Sequence, residues 1–205
     1  MTIPILLTFF KGVGIGAGLI IAIGAQNAFI LKNAIIRKHV FTMSIMCSVI
    51  DAAMIYLGVS GAGHFISNNN YLLNIAKYGG AAFLFYYGAR SFYSALYLKH
   101  SIDDENVNDT GSLNRTIVTL LALSFLNPHL YLDTVVLLGS IGAQIAENLR
   151  IYFTLGAICA SFLWFFSLSY GARYLSPLFQ KPVSWKILDG IIGVIMWSIA
   201  ASLLL

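Results

Sequence analysis

The sequence predicts an all-α polytopic membrane protein with six transmembrane helices, arranged as two inverted three-helix repeats. Three observations carry this. Of 205 residues, 59% are hydrophobic and only 10% charged, against about a quarter charged in a soluble domain, and the mean hydropathy is +0.81. Six runs offer the roughly 20 mostly apolar residues that a span requires: 5–31, 41–63, 71–98, 116–142, 151–172 and 187–205. The first run of each half is disturbed by polar groups, "GAQN" at 24–27 and "NPHL" at 127–130. An odd number of spans per half gives the halves opposite orientations, the plan of many secondary transporters. Connections this short leave no room for a soluble domain, so 1–205 is read as one membrane domain.

The first run is glycine-rich and either re-enters or spans. Gly12 and Gly16, and Gly14 and Gly18, lie four apart, a spacing that lets helices pack closely or a homo-oligomer form. Gly24, Gln26 and Asn27 add a flexible point with donors and acceptors. The start "MTIPILLTFF" has no basic n-region, so no removable signal peptide is expected. Lys32, Arg37 and Lys38 mark the first connection.

The second run places Asp51 about 15 Å deep by helical rise, near the midplane. Ser44, Ser48 and Asp51, at i, i+4 and i+7, make a polar stripe. An Asp there costs about 2.5–3.5 kcal/mol on the insertion scale, so it needs a partner or a bound proton. It is either a structural acid bonded between helices or a cation or proton site. The third run carries Lys77 and Arg90, whose uncharged interval covers about 18 Å; their side chains can snorkel to opposite interfaces. Lys99 and Arg115 flank the acidic third connection, and Asn108 and Asn114 formally match glycosylation sequons there.

The fourth run contains "SFLNPHLYLD". Pro128 removes a backbone donor and disturbs the preceding turn. Broken backbone at membrane depth is tolerated where it faces protein or a water-filled cavity. Ser124, Asn127, Tyr131 and Thr134 form a polar row, and His129 reaches Asp133 if the helix is regular. That pair is a candidate proton acceptor; the bland alternative is a proline kink with local hydrogen bonds. A midplane cavity suggests transport. Freed amides at a helix break suit a carboxylate, and Asp51 or Asp133 suits a cation, a combination matching a basic amino acid. The fifth and sixth runs close the bundle, with Arg173, Lys181 and Lys186 beside the fifth connection. Basic residues mark cytoplasmic loops, which assigns the first, third and fifth connections to the cytoplasm and argues against a nucleic-acid partner. Cys47 and Cys159 form no CxxC, and neither a disulfide framework nor a zinc site is expected; no cofactor motif is present.

"IGAQNAFILKNAIIRKH", "CSVIDAAMIYLGVSG", "AKYGGAAFLFYYGA" and "LSFLNPHLYLDTVVLLGSIGAQ" resemble the lysine exporter (LysE) family, especially its arginine exporter (ArgO) branch. "ICASFLWFF" and "GVIMWSIA" extend the likeness over nearly the whole chain. The resemblance implies an inner-membrane exporter of arginine or lysine energised by the membrane gradient, with protons as the expected coupling ion. It implies that Asp51, Asn127, Pro128 and Asp133 hold the family's key positions, and that Lys77 falls where relatives carry Lys or Arg. The family's usual G-P-Q-N reads Gly24-Ala25-Gln26-Asn27 here. Alternatives are export of neutral amino acids or a metal cation, a non-transport membrane protein, and an intramembrane aspartyl protease. The last lacks its glycine-rich context, and no P-loop, H-E-x-x-H or G-x-S-x-G motif supports ATP hydrolysis or common hydrolase chemistry.

Overall fold

The computed structural model describes residues 2–21, 24–61, 70–97 and 112–204, and these contain helices and turns without a strand. In chain order the helices are α1 (Thr2–Ile20), α2 (Ala25–Ile35), α3 (Val40–Val59), α4 (Asn70–Tyr97), α5 (Leu113–Phe125) and α6 (Pro128–Leu130). A π-helical turn over Tyr131–Leu137 leads into α7 (Leu138–Ala143). Then come α8 (Glu147–Gly171), a 3-10 stretch (Ala172–Gln180) and α9 (Pro182–Leu204). Four of these, α1, α3, α8 and α9, are long and apolar enough to cross a membrane, and α5 and the 131–143 stretch are shorter apolar helices. Lys99, Asn108 and most of the acidic third connection lie outside the described residues.

The expectation of one span over 5–31 is corrected. Helix α1 ends at Ile20, and α2 restarts at Ala25 behind Gly24, whose backbone is extended (φ −111°, ψ 178°). Asn27 donates its amide to the Ile20 carbonyl at 3.1 Å, so a side chain satisfies an acceptor that the helix end leaves open. Lys32, expected in the first connection, stands instead in the last turn of α2.

Small residues set the helix contacts. A Cβ on Gly12 would run into the Phe153 carbonyl, and one on Gly156 into the Phe9 carbonyl, so α1 and α8 meet backbone to backbone. Gly14 and Gly18, the alternate pair, meet nothing. Helix α3 runs antiparallel to α8: Ser44 reaches the Phe165 carbonyl while Asp51 meets Ser161. Helix α4 runs antiparallel to α9, with the Trp197 indole donating to the Phe85 carbonyl at 3.1 Å and Ser94 bonded to Asp189. The main core joins α2, α3, α4, α5, α8 and α9 through residues such as Ile30, Met43, Leu120, Phe165, Trp185 and Met196. Large apolar side chains outside it, including Leu7, Phe10, Tyr86, Leu163 and Ile191, are exposed on outward faces, the distribution expected where lipid is the solvent.

Candidate functional site

Helix α3 brings Asp51 into the interior, where it is 4% exposed and accepts a hydrogen bond from the Ser161 hydroxyl of α8 at 2.9 Å. The stripe behind it is buried as well, but Ser44 turns its hydroxyl to the Val40 carbonyl at 2.9 Å, and the Ser48 hydroxyl has no partner. The acid therefore bonds across to a neighbouring helix and not along its own.

The break between α1 and α2 supplies the second wall. Asn27 is buried and bridges α1 to α8, donating to Ile20 and accepting from the Trp164 indole at 3.4 Å. The Gln26 amide nitrogen is buried on this wall, with the Cys47 thiol, a weak acceptor, as its neighbour.

The third wall is the interruption at 126–127. Helix α5 stops at Phe125 and α6 starts at Pro128, the first-turn position where proline's missing N–H is not needed. Asn127 caps that start: its side-chain oxygen accepts from the His129 backbone N–H at 3.1 Å. The Tyr131 hydroxyl returns to the Phe125 carbonyl at 2.8 Å, and the Thr134 hydroxyl bonds the Leu130 carbonyl. The proline therefore initiates a new helix after an interruption of the old one, and its neighbours satisfy the exposed carbonyls. Two glycines seat this wall. A Cβ on Gly80 of α4 would strike the Leu126 carbonyl, and one on Gly58 of α3 the Thr134 carbonyl.

The direct His129–Asp133 contact is corrected. Residues 131–137 are π-helical, with the Leu138 N–H bonded to the Asp133 carbonyl five residues back. That pitch displaces the i, i+4 alignment of a regular α-helix, and no ion pair joins His129 to Asp133 among the described residues. Both nevertheless line the same space. A cavity of about 290 Å³ is walled by Gly24, Gln26 and Asn27 from the first break, Asp51 from α3, and Asn127, His129 and Asp133 from the second. Leu19, Leu138, Phe165 and Ile199 supply apolar lining. The volume is close to the lower end of the range for small-molecule pockets, about 300–1,000 Å³. Two carboxylates, three carboxamides and a histidine on apolar walls can orient a small zwitterion that also carries a cation. Lys77 stands apart from this cavity, its ammonium 5.9 Å from the Tyr78 ring centroid. Among the described residues no three His, Cys, Asp or Glu side chains converge as metal ligands.

Sequence reasoning missed Asp189. It is fully buried in α9, ion-paired to Lys32 at 2.5 Å and bonded by the Ser94 hydroxyl at 2.6 Å. The signal was present: "KILDGIIGVIMW" places an Asp at the head of an apolar run, where a carboxylate drawn between helices needs a partner.

Comparison with known proteins gives a consistent picture. The family model described as LysE type translocator matches residues 17–205. The arginine exporter protein ArgO of Photorhabdus laumondii is 40% identical over 195 residues, covering 95% of this chain and 94% of that protein. Those of Salmonella paratyphi B and Escherichia coli K12 are 37% and 36% identical, each match covering 95% of this chain and 92% of the relative. No solved structure matches.

Proposed function

This chain belongs to the LysE translocator family, and from that premise we propose that it is a secondary active exporter of basic amino acids, arginine first, across the cytoplasmic membrane. The observation that carries the proposal is the convergence of both interrupted helices and the buried Asp51 on one cavity. The relatives are named as arginine exporters. A guanidinium offers several fixed donors to carboxylates, and the two carboxylates of this cavity are suited to it. Asp51 is the contact for the side-chain cation. Asp133 and His129, on the less buried wall, carry the proton whose exchange with substrate couples export to the gradient. Asn27, Gln26 and Asn127 orient the zwitterionic end.

The six crossings divide as two inverted repeats. Helices α1 and α2 form the first, α3 the second, α4 the third, the 113–143 stretch the fourth, α8 the fifth and α9 the sixth. Packing supports the symmetry. The first crossing lies on the fifth and the fourth on the second, the second packs on the fifth, and the third packs on the sixth. Both firsts are broken at the cavity.

The test is efflux from proteoliposomes loaded with labelled arginine, lysine, leucine or threonine, with and without an imposed proton gradient. Arginine or lysine efflux that responds to the gradient is expected. Leucine or threonine leaving as fast as arginine would give the neutral amino-acid reading the advantage.

A further inference from the structure

Helix α4 carries an unusual outward face near its end. Tyr86, Arg90, Tyr93 and Tyr97 are all exposed, and the helical repeat sets them within about 60° of one another around the axis. The Tyr93 and Tyr97 ring centroids are 5.0 Å apart. A guanidinium on a lipid-facing stripe is costly unless it reaches the headgroups. Tyrosines on either side of it mark that level, where amphipathic rings settle. The Ser94–Asp189 bond puts the end of α4 beside the start of α9, and Lys181 and Lys186 stand at that same end. Basic residues mark the cytoplasmic side, so the stripe meets the cytoplasmic leaflet.

A second guanidinium stands at the same height. Gly80 of α4 lies against the Leu126 carbonyl, and Arg115 of α5 acts electrostatically on Tyr87 of α4, so α5 runs back along α4. From the Gly80–Leu126 contact, Arg90 is ten residues along α4, about 15 Å, and Arg115 is eleven residues back along α5, about 16 Å. Arg90 acts on Tyr87 too, and Arg115 is exposed. Neither guanidinium forms an ion pair among the described residues. Asp189 belongs to the same neighbourhood, but one of its oxygens takes the Lys32 ammonium and the other the Ser94 hydroxyl. Three cations therefore surround one buried anion, and the two arginines on the outside are in excess.

Excess positive charge at the cytoplasmic leaflet attracts anionic lipid. Two guanidiniums suit a phosphate, because each offers paired N–H donors in a fixed fork. The flanking tyrosines give acyl chains an apolar seat and the headgroup a hydroxyl. We propose that the α4–α5 face at the cytoplasmic end is a binding site for an anionic phospholipid, with Arg90 and Arg115 holding the headgroup phosphate and Tyr93 and Tyr97 flanking it. The lipid ties α4 to α5, and α5 ends at the second break of the cavity wall. It steadies that wall from outside the site, whatever substrate the cavity takes.

The experiment uses full-length protein in detergent. Wild type is compared with Arg90→Gln, Arg115→Gln, Arg90→Lys and Arg115→Lys. The control is Arg173→Gln, which removes another exposed guanidinium at the same end of the bundle. Retention of phosphatidylglycerol or phosphatidylcholine is read by native mass spectrometry and by the shift in melting temperature that each lipid gives. Inorganic phosphate serves as the free-anion probe. Wild type retains phosphatidylglycerol in preference and melts later with it. Arg90→Gln and Arg115→Gln each weaken that binding about tenfold, the worth of one hydrogen bond to a charged group. The Lys variants keep the charge but lose the fork, and fall between. Arg173→Gln binds as wild type does. Equal losses in all three Gln variants mean attraction by bulk charge and overturn the site. So does a wild type with no preference for phosphatidylglycerol, including one in which neutralising Asp103, Asp104 and Glu105 creates the preference, since the acidic connection is then the occupant. Equal stabilisation by inorganic phosphate overturns the lipid assignment. Gln variants that change oligomeric state and leave lipid retention alone make the face a contact between copies, which overturns it too. Should a Gln variant fail to fold, an undiminished preference in both Lys variants overturns the two-guanidinium site equally.

Discussion

Two aspartates are buried in apolar helices, and their partners separate their roles. Asp189 has a lysine. Asp51 has only the neutral Ser161 hydroxyl and, among the described residues, no ion-pairing cation. A buried carboxylate with a neutral partner remains able to take a cation or a proton, and it faces the cavity. Asp51→Asn preserves shape and the possibility of a hydrogen bond with Ser161 but removes the charge. It is expected to abolish arginine and lysine binding in a protein that still inserts, checked by labelled-arginine binding to purified protein. Ser161→Ala leaves the charge and removes one donor, worth about 1–3 kcal/mol when a buried acceptor is left short. It should lower thermal stability while arginine is still exported. Asp133→Asn, on the partly buried wall, should blunt the response of efflux to an imposed proton gradient at least as much as it weakens arginine binding. Asp51 and Asp133 were legible in the sequence because intramembrane acids are costly. Their distinction from Asp189 was not, since it depends on Lys32, which lies 157 positions away along the chain.

At the level of elements, polar and helix-breaking residues announced both interruptions, and the structure supplies what no pattern encodes. Asn127 and Pro128 signal a break, and their capping roles follow from residue type. The π-helical turn after them has no such signature, so a spacing that suggested a His129–Asp133 contact misled. In the first break no proline is present and Ala25 opens the new helix, because Gly24 takes up the extended conformation and Asn27 covers the end of α1. Glycines hold the second break against α3 and α4, which makes a sharp prediction. In Gly58→Ala and Gly80→Ala the new methyl would meet the backbone carbonyls of Thr134 and Leu126, atoms that cannot rotate away. Overpacking of this kind costs about 1–3 kcal/mol, and here it also displaces the cavity wall. Both variants should melt earlier in detergent and lose most arginine efflux at equal protein level. Gly14→Ala, where a methyl meets nothing, should resemble wild type in both assays. A Gly80→Ala protein with normal efflux would show that the seating of Leu126 is irrelevant to the site.

For the whole molecule, orientation follows from charge once the helix directions are known. The antiparallel pairs put the start of α3, the end of α8, the start of α9 and the end of α4 at one end of the bundle. That end carries Arg37, Lys38, Arg173, Lys181 and Lys186. The opposite end, with the close of α3 and the start of α8, has Arg150, which is tied to the Ala143 and Ile145 carbonyls. The 3-10 stretch adds exposed Tyr174, Leu175 and Leu178 beside Arg173, the mixture that settles at a membrane surface. Lys and Arg concentrate on the cytoplasmic side because they resist translocation. The connection at 36–39 and the stretch at 172–181 should therefore face the cytoplasm, while 60–61 and 144–146 face outward. The sequence supported this assignment because loop charge does not depend on packing; the helix directions behind it required the structure. Single cysteines at Arg37 and Lys181 should resist an impermeant maleimide in intact cells and react after permeabilisation, whereas cysteines at Ser60 and Gln144 should react in both. The first crossing is the sharpest test. If α1 fully spans, a cysteine at Ile3 also labels from outside; if α1 re-enters, it is protected while Arg37, Lys181, Ser60 and Gln144 keep their pattern. Ready labelling at Arg37 in intact cells would overturn the orientation derived from loop charge and reverse the molecule in the membrane.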